Sequence, residues 1–251
     1  MSVFGEAYSK YYNLLYKDKN YLEEYTYIRE ILGKHGANGK NILDIGCGTG
    51  KHLHFFKEDG FSVSGVDMSE NMIIEAKKYL NQEENLVCAK ASEFQFNKKF
   101  DAIISLFHVM SYQTENEEVE KVFKNVSEHL TEGGLFVFDF WYGPAVLSDP
   151  PVVRIKRLED DEAKITRITE TVIRYNENIV DVNFEVMIED KKTHVSERIN
   201  ETHNMRYLFL PEIMYLAERA GLSFVAAYNW LNFSSLSEKC WYGLVVLKKG
   251  I

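Results

Sequence analysis

The residues best suited to chemistry stand close together in one stretch, Asn41-Ile42-Leu43-Asp44-Ile45-Gly46-Cys47-Gly48-Thr49-Gly50. An apolar run that ends in a carboxylate and passes straight into alternating glycines describes a strand followed by a sharp turn, where the backbone can approach a ligand closely. A nicotinamide-type fingerprint would want glycines at 46, 48 and 51. Position 51 is Lys51 and the third glycine is Gly50, so a pyrophosphate cradle fits poorly. Asp44 points the same way, because a carboxylate repels phosphate and attracts a cationic ammonium group. A second acid, Asp67, closes the strand-like run FSVSGVD. At the end of the second strand of a doubly wound sheet it lies beside the first loop and can accept hydrogen bonds from both hydroxyls of a ribose. Glycine loop, cation-seeking acid and ribose acid together indicate an adenosyl ligand with a positive near end.

The elements that must position these residues follow from hydrophobic periodicity. From Asn41 to Phe140, short apolar runs (NILDIG, FSVSGVD, NLVCAK, FDAIISLF, LFVFDFW) alternate with helical stretches beginning near Lys51, Ser69 and Glu115. That alternation predicts βαβ units and a parallel sheet covered on both faces. Between Val152 and Phe209 the period becomes two, most cleanly at Val180, Val182, Phe184, Val186 and Ile188, which predicts antiparallel sheet with one wet face. A helix from Pro211 to Ala220, stopped by Gly221, and two last strands then complete the core. The expected fold is α/β, a Rossmann-like doubly wound seven-stranded sheet with an inserted antiparallel sheet. One domain is expected over 1–251: an N-terminal helical lid over 1–40, the core over 41–144 and 210–251, and the inserted sheet over 145–209. No Pro, Gly or Ser-rich linker separates these parts.

Composition narrows the function classes. The 251 residues carry 29 Lys and Arg against 38 Asp and Glu, a net charge of −9, which disfavours nucleic acid and anionic membrane surfaces because both need a basic face. Hydrophobic residues at 45 % and charged residues at 27 % are ordinary for a globular protein, so disorder is not expected. Cys47, Cys88 and Cys240 are odd in number and far apart, which suits neither a disulfide framework nor a zinc site and reads as reduced thiols in a cytoplasm. No secretory or membrane-spanning segment and no metal site is expected.

LDIGCGTG followed by GVDMS resembles motifs I and II of the class I S-adenosylmethionine-dependent methyltransferases. The resemblance implies S-adenosylmethionine as cofactor, with Asp44, Gly46, Cys47 and Gly48 around its methionyl end, Asp67 on the ribose and Met68 on one face of the adenine. Backbone groups around Ala91 and Ser92 would read the adenine, since the Asp that many relatives carry there is absent. Leu106 and Phe107 would border the sulfonium. Within that class the chain is similar to the N,N-dimethyltransferases of nucleotide-linked amino sugars, through YYNLLYKDKNY, ISLFHVMSYQ, SEHLTEGGLFVFDFWYGP and TRITET. This narrower resemblance implies lid tyrosines at Tyr12 and Tyr16 with Tyr21 nearby, a candidate base at Tyr112 with His108 one turn earlier, and Arg167 near a sugar-nucleotide phosphate. An arginine that the macrolide-sugar relatives carry in the final strand pair is replaced here by Lys239-Cys240-Trp241-Tyr242.

His203 and Arg206, where the inserted sheet returns to the core, are two further candidates for the acceptor. Methyl transfer from a sulfonium is an in-line displacement in which positioning does most of the work, and a base serves to remove the acceptor's proton. The sequence thus predicts methyl transfer to a small polar acceptor, with the amine of a nucleotide-activated amino sugar in a surface polysaccharide or glycoside pathway as first choice. Alternatives are a sugar hydroxyl, for which His108 is the better base, a phosphoramidate-type capsule precursor, and a non-catalytic adenosyl-binding module. The partners expected are the small-molecule acceptor and, as a homodimer, a second copy of the chain.

Overall fold

The computed structural model describes residues 19–37, 39–81 and 85–250, so the expected lid residues Tyr12 and Tyr16 lie outside the described residues. Helix α1 (Tyr21–Lys34) starts at Asn20, whose side chain accepts a hydrogen bond from the Glu23 amide at 3.1 Å, and buries Tyr27, Ile28, Ile31 and Leu32. The alternating block follows: β1 (Asn41–Ile45), α2 (Lys51–Glu58), β2 (Ser62–Asp67), α3 (Glu70–Leu80), β3 (Leu86–Cys88), β4 (Phe100–Ser105), a 3-10 turn (Val109–Tyr112), α4 (Asn116–His129), β5 (Leu130–Tyr142) and α5 (Gly143–Ser148). Four antiparallel strands come next, β6 (Arg154–Glu159), β7 (Ala163–Arg174), β8 (Ile179–Asp190) and β9 (Ser196–Leu208), and then α6 (Leu210–Arg219), β10 (Leu222–Asn229) and β11 (Tyr242–Lys249).

In space the core strands run β3-β2-β1-β4-β5-β11-β10. β1 is flanked in parallel by β2 and β4, with Asp44 in register with Gly65 on one side and Ile104 on the other. The crossovers therefore leave β1 and β4 in opposite directions, which opens a crevice at their carboxyl ends. β5 continues past the end of β4, and its last residues, Trp141 and Tyr142, pair in parallel with Tyr207 and Leu208 of β9. The inserted strands thus extend the sheet on the crevice side, in the order β9-β8-β7-β6.

Alternation along β5 shows how the sheet is sandwiched. Phe136, Phe138 and Phe140 pack on Val119, Val122, Phe123 and Val126 of α4, whereas Leu135 and Val137 pack on the opposite face with Ile28, Ile31, Leu53, Phe56 and Ile73. Truncating one of these buried phenylalanines to Ala costs about 3–5 kcal/mol. Asp139 shares the face of Leu135 and Val137 and is buried near the crevice end of the strand. One local feature differs from the expectation: α5 takes up the first residues of the expected insert, so that its strands begin only at Arg154. No helix among the described residues is long and apolar enough to cross a membrane.

Candidate functional site

The turn after β1 is built on left-handed backbone. Gly46, Gly48 and Gly50 have φ of 77°, 53° and 78°, a region that costs other residues roughly 1–2 kcal/mol. Their surroundings differ. A Cβ on Gly46 would come within 2.3 Å of Val109, whereas one on Gly48 would meet nothing within 4 Å. Gly46 is therefore small for packing, and Gly48 lines open space. The Cys47 thiol turns into the core, where a Cβ on Gly65 would lie 2.7 Å from its sulfur, so at position 47 only the backbone faces the turn. Burial pushes that thiol well above its usual range.

The two strand-end acids are in opposite states. Asp67 accepts from the Gly48 amide (2.9 Å) and from the Ser69 amide (2.8 Å), which ties the first loop to the second. Burial raises its pKa, and those two donors work against the rise. Asp44 is 1 % exposed, and neither of its carboxylate oxygens has a hydrogen-bond partner among the described residues. Burial, reinforced by the charges of Asp67 and Asp139 and opposed by Lys19, holds its pKa well above the carboxylate range. A buried carboxylate with no donor is costly unless a cation meets it. The arrangement therefore fits a ligand with a cationic end beside Asp44 and hydroxyls beside Asp67, as S-adenosylmethionine has. Met68, the expected adenine neighbour, is 54 % exposed and available to a flat ligand. Ala91 is buried with its carbonyl accepting from Asn125 (3.5 Å), while the Ser92 hydroxyl is committed to Glu118 on α4 (2.6 Å).

Across the crevice, Leu106 is buried, and Phe107 and His108 take φ of 66° and 64°. Such angles are uncommon for bulky residues and cluster at functional sites. Asp139 holds this turn: its carboxylate accepts from the His108 amide (2.9 Å), and Oδ2 lies 2.6 Å from His108 Nδ1, a close contact set off the hydrogen-bond axis. The imidazole stacks on Tyr242, with ring centroids 4.4 Å apart. Asp139 escaped the sequence reading, although a lone acid within LFVFDFW was the available signal.

A second cluster joins the 3-10 turn to the inserted sheet. Tyr112 Oη lies 2.8 Å from His203 Nδ1, and His203 Nε2 lies 3.3 Å from Glu201. Phe184 meets the His203 ring edge-on at 4.9 Å, and the Arg167 guanidinium sits 5.0 Å from the Phe184 ring centroid. Burial lowers the His203 pKa, with Glu201 pulling it up and the Arg167 charge pushing it further down. The structure thus brings Tyr112, Arg167 and His203 together, and Glu201 joins them unanticipated. Arg206 stands apart. It donates to the Thr114 carbonyl (3.1 Å) and Asn116 (2.7 Å) and pairs with Glu212, bracing the entry to α4 against α6. Tyr21, at the start of α1, packs edge-on against His52 (5.1 Å) beside Lys19 and Lys51.

A glycine turn and two strand-end acids at the switch point of a parallel sheet define a Rossmann-like nucleoside-binding enzyme, and an orphaned buried carboxylate gives it a preference for a cationic ligand. The chain belongs to the class I S-adenosylmethionine-dependent methyltransferases. Residues 42–134 match the methyltransferase domain family. The chain is 30 % identical to the dTDP-3-amino-3,4,6-trideoxy-alpha-D-glucopyranose N,N-dimethyltransferase of Streptomyces venezuelae, over 70 % of this chain and 74 % of that protein. Its fold is also that of Streptomyces venezuelae DesVI (TM-score 0.81, 24 % identity, 97 % of this chain and 98 % of that one). The sugar N-methyltransferase KedS8 from a Streptoalloteichus species is similar as well (TM-score 0.83, 19 % identity, 100 % and 97 %).

Proposed function

We propose that this methyltransferase acts on the amine of a nucleotide-activated amino sugar in a surface polysaccharide or glycoside pathway, in the cytoplasm and as one domain. The observation that carries this reading is the cluster of Arg167, His203 and Tyr112, which sets an anion-seeking guanidinium beside a proton acceptor on the inserted sheet. The nucleotide-amino-sugar substrate of the Streptomyces venezuelae relative supports it. S-adenosylmethionine supplies an electrophilic methyl group on a sulfonium. Asp44 and the backbone of the glycine turn would hold its methionyl end and Asp67 its ribose. Arg167 would take an acceptor phosphate, a task suited to a planar fork of donors.

Tyr112 would receive the proton that the amine loses and hand its own hydroxyl proton to His203 Nδ1. Burial keeps His203 neutral beforehand, and Glu201 faces the opposite ring nitrogen to stabilise the imidazolium that forms. A second reading, transfer to a sugar hydroxyl, is favoured by the pairing of His108 with Asp139. The Asp139 carboxylate, 2.6 Å from Nδ1, would hold the ring in place and leave Nε2 as the nitrogen to take a proton from an acceptor hydroxyl. Incubation with labelled cofactor and a panel of nucleotide amino sugars, plain sugars and phosphorylated precursors separates the two. Label on an amine, sharply reduced in Tyr112→Phe and retained in His108→Asn, is the expected outcome. Label only on a hydroxyl, lost in His108→Asn, overturns it.

A further inference from the structure

Trp141, at the end of β5, carries an orphaned donor on the acceptor side of the crevice. Its indole Nε1–H is closed to solvent and has no acceptor within hydrogen-bond distance among the described residues. Buried tryptophans usually find a partner for this group. The neighbouring one does: Trp241, whose ring lies edge-on at 5.4 Å, donates to the Asp149 carbonyl at 3.1 Å. A buried donor left unpaired is costly to the free protein, and an oxygen that arrives with a ligand removes that cost.

The surroundings of Trp141 place this donor beside the reacting atom. Two residues after Asp139 on β5, it leaves the same face of the strand. Its ring meets His108 edge-on, with centroids 6.3 Å apart, and it shares with Tyr112 the apolar cluster around Val180, Val182 and Met205. Trp141 therefore stands between the two candidate proton acceptors. Its backbone is held from both sides, in register with Tyr207 on β9 and Tyr242 on β11, and its amide donates to Ser111 Oγ at 3.0 Å. A side chain anchored in this way is a fixed donor, not an adaptable one.

A reacting amine cannot satisfy this donor. Its one lone pair attacks the methyl group and its hydrogens are themselves donors, so the indole N–H needs an oxygen close to the amine. We propose that Trp141 is a specificity-determining residue that selects a vicinal amino alcohol, a sugar with a hydroxyl on a carbon next to the one bearing the amine. The inference rests on the amino-sugar reading above. The hydroxyl accepts from Nε1–H, which fixes the rotation of the sugar ring and aims the amine lone pair at the methyl group. A sugar deoxygenated at that carbon leaves the donor unpaired and is bound more weakly.

Turnover of labelled S-adenosylmethionine with two pairs of thymidine-diphosphate sugars tests it. One pair carries the amine at C3 and the other at C4, and each pair has a member with and a member without hydroxyls on the carbons beside the amine. In the pair that it methylates, wild type is expected to favour the hydroxylated member roughly 10- to 100-fold in kcat/KM, mostly through KM, the range that an unpaired buried donor costs. In Trp141→Phe, which keeps an aromatic ring and removes the N–H, that preference falls to within a few-fold. In isotope-labelled protein saturated with S-adenosylhomocysteine, the Trp141 indole proton, one of three in the chain, moves downfield when the hydroxylated sugar is added. Equal wild-type turnover within each methylated pair overturns the inference without any variant and leaves the amino-sugar reading standing. Methylation of none of the four sugars overturns that reading and the inference with it. A full hydroxyl preference retained in Trp141→Phe, or an indole proton shifted by S-adenosylhomocysteine alone and not by the sugar, overturns the inference too.

Discussion

The two halves of the site are made of different material. At the ends of β1 and β4 the working surface is largely backbone: left-handed glycines, amides of Gly48 and Ser69 on Asp67, and the His108 amide on Asp139. On the inserted sheet it is side chain against side chain, with Tyr112, His203, Glu201, Phe184 and Arg167 drawn from four separate elements. A backbone surface suits an invariant ligand, since substitution elsewhere barely moves it. A side-chain surface can be refitted to a new acceptor without disturbing the core. The division implies that variants on one side alter cofactor binding and variants on the other alter acceptor binding.

The largest expected effect breaks the backbone half. Gly46→Ala adds left-handed strain of about 1–2 kcal/mol to overpacking against Val109 of about 1–3 kcal/mol, so urea unfolding should show a loss of about 2–5 kcal/mol in all. Gly48→Ala pays only the strain, because its Cβ meets open space, and its defect should appear in cofactor affinity instead. Next comes Asp44→Asn, expected to weaken S-adenosylmethionine by about 1.5–3 kcal/mol in calorimetry. The pH dependence has a definite sign. Because the folded pKa of Asp44 is raised, its contribution to the free protein's stability is complete below the unfolded value of about 3.9 and is lost as pH rises through the folded value. At pH 7, Asp44→Asn should therefore melt higher than wild type without cofactor and bind cofactor less well. Wild-type affinity should climb with pH across that window, and the Asn variant, left with Asp67, should climb less steeply.

On the acceptor side, Arg167→Ala should raise KM for an anionic acceptor about tenfold, as for one charged hydrogen bond, and leave the cofactor Kd unchanged. The smallest effect is expected at Met68→Ala, a few-fold loss of cofactor affinity from one exposed thioether contact.

The same contrast governs what could be read from sequence. Asp44, the glycines and Asp67 are recognisable because backbone conformation restricts residue type, and the spacing follows from a strand, a turn and the next strand. The seven core strands and the period-two insert were readable for a similar reason, since burial on one or both faces sets their hydrophobic pattern. Asp139 was harder, being one acid within an apolar strand whose partner, His108, lies far away in the chain. Glu201 was not readable at all, because nothing local distinguishes a surface acid from one that packing has enclosed. Tyr112 and His203 could each be suspected, but their pairing depends on how β9 docks beside the end of β5.

The division of labour is tested most directly by titrating the isotope-labelled protein first with S-adenosylhomocysteine and then with a nucleotide amino sugar while following backbone amide shifts. The first ligand should move the amides of Gly46 to Gly50, Ser69 and Phe107 to His108 and leave β7 and β8 at rest. The second should move residues around Arg167, Phe184 and His203. Shifts throughout the inserted sheet on adding S-adenosylhomocysteine alone, or a glycine turn that does not respond to it, would contradict the division.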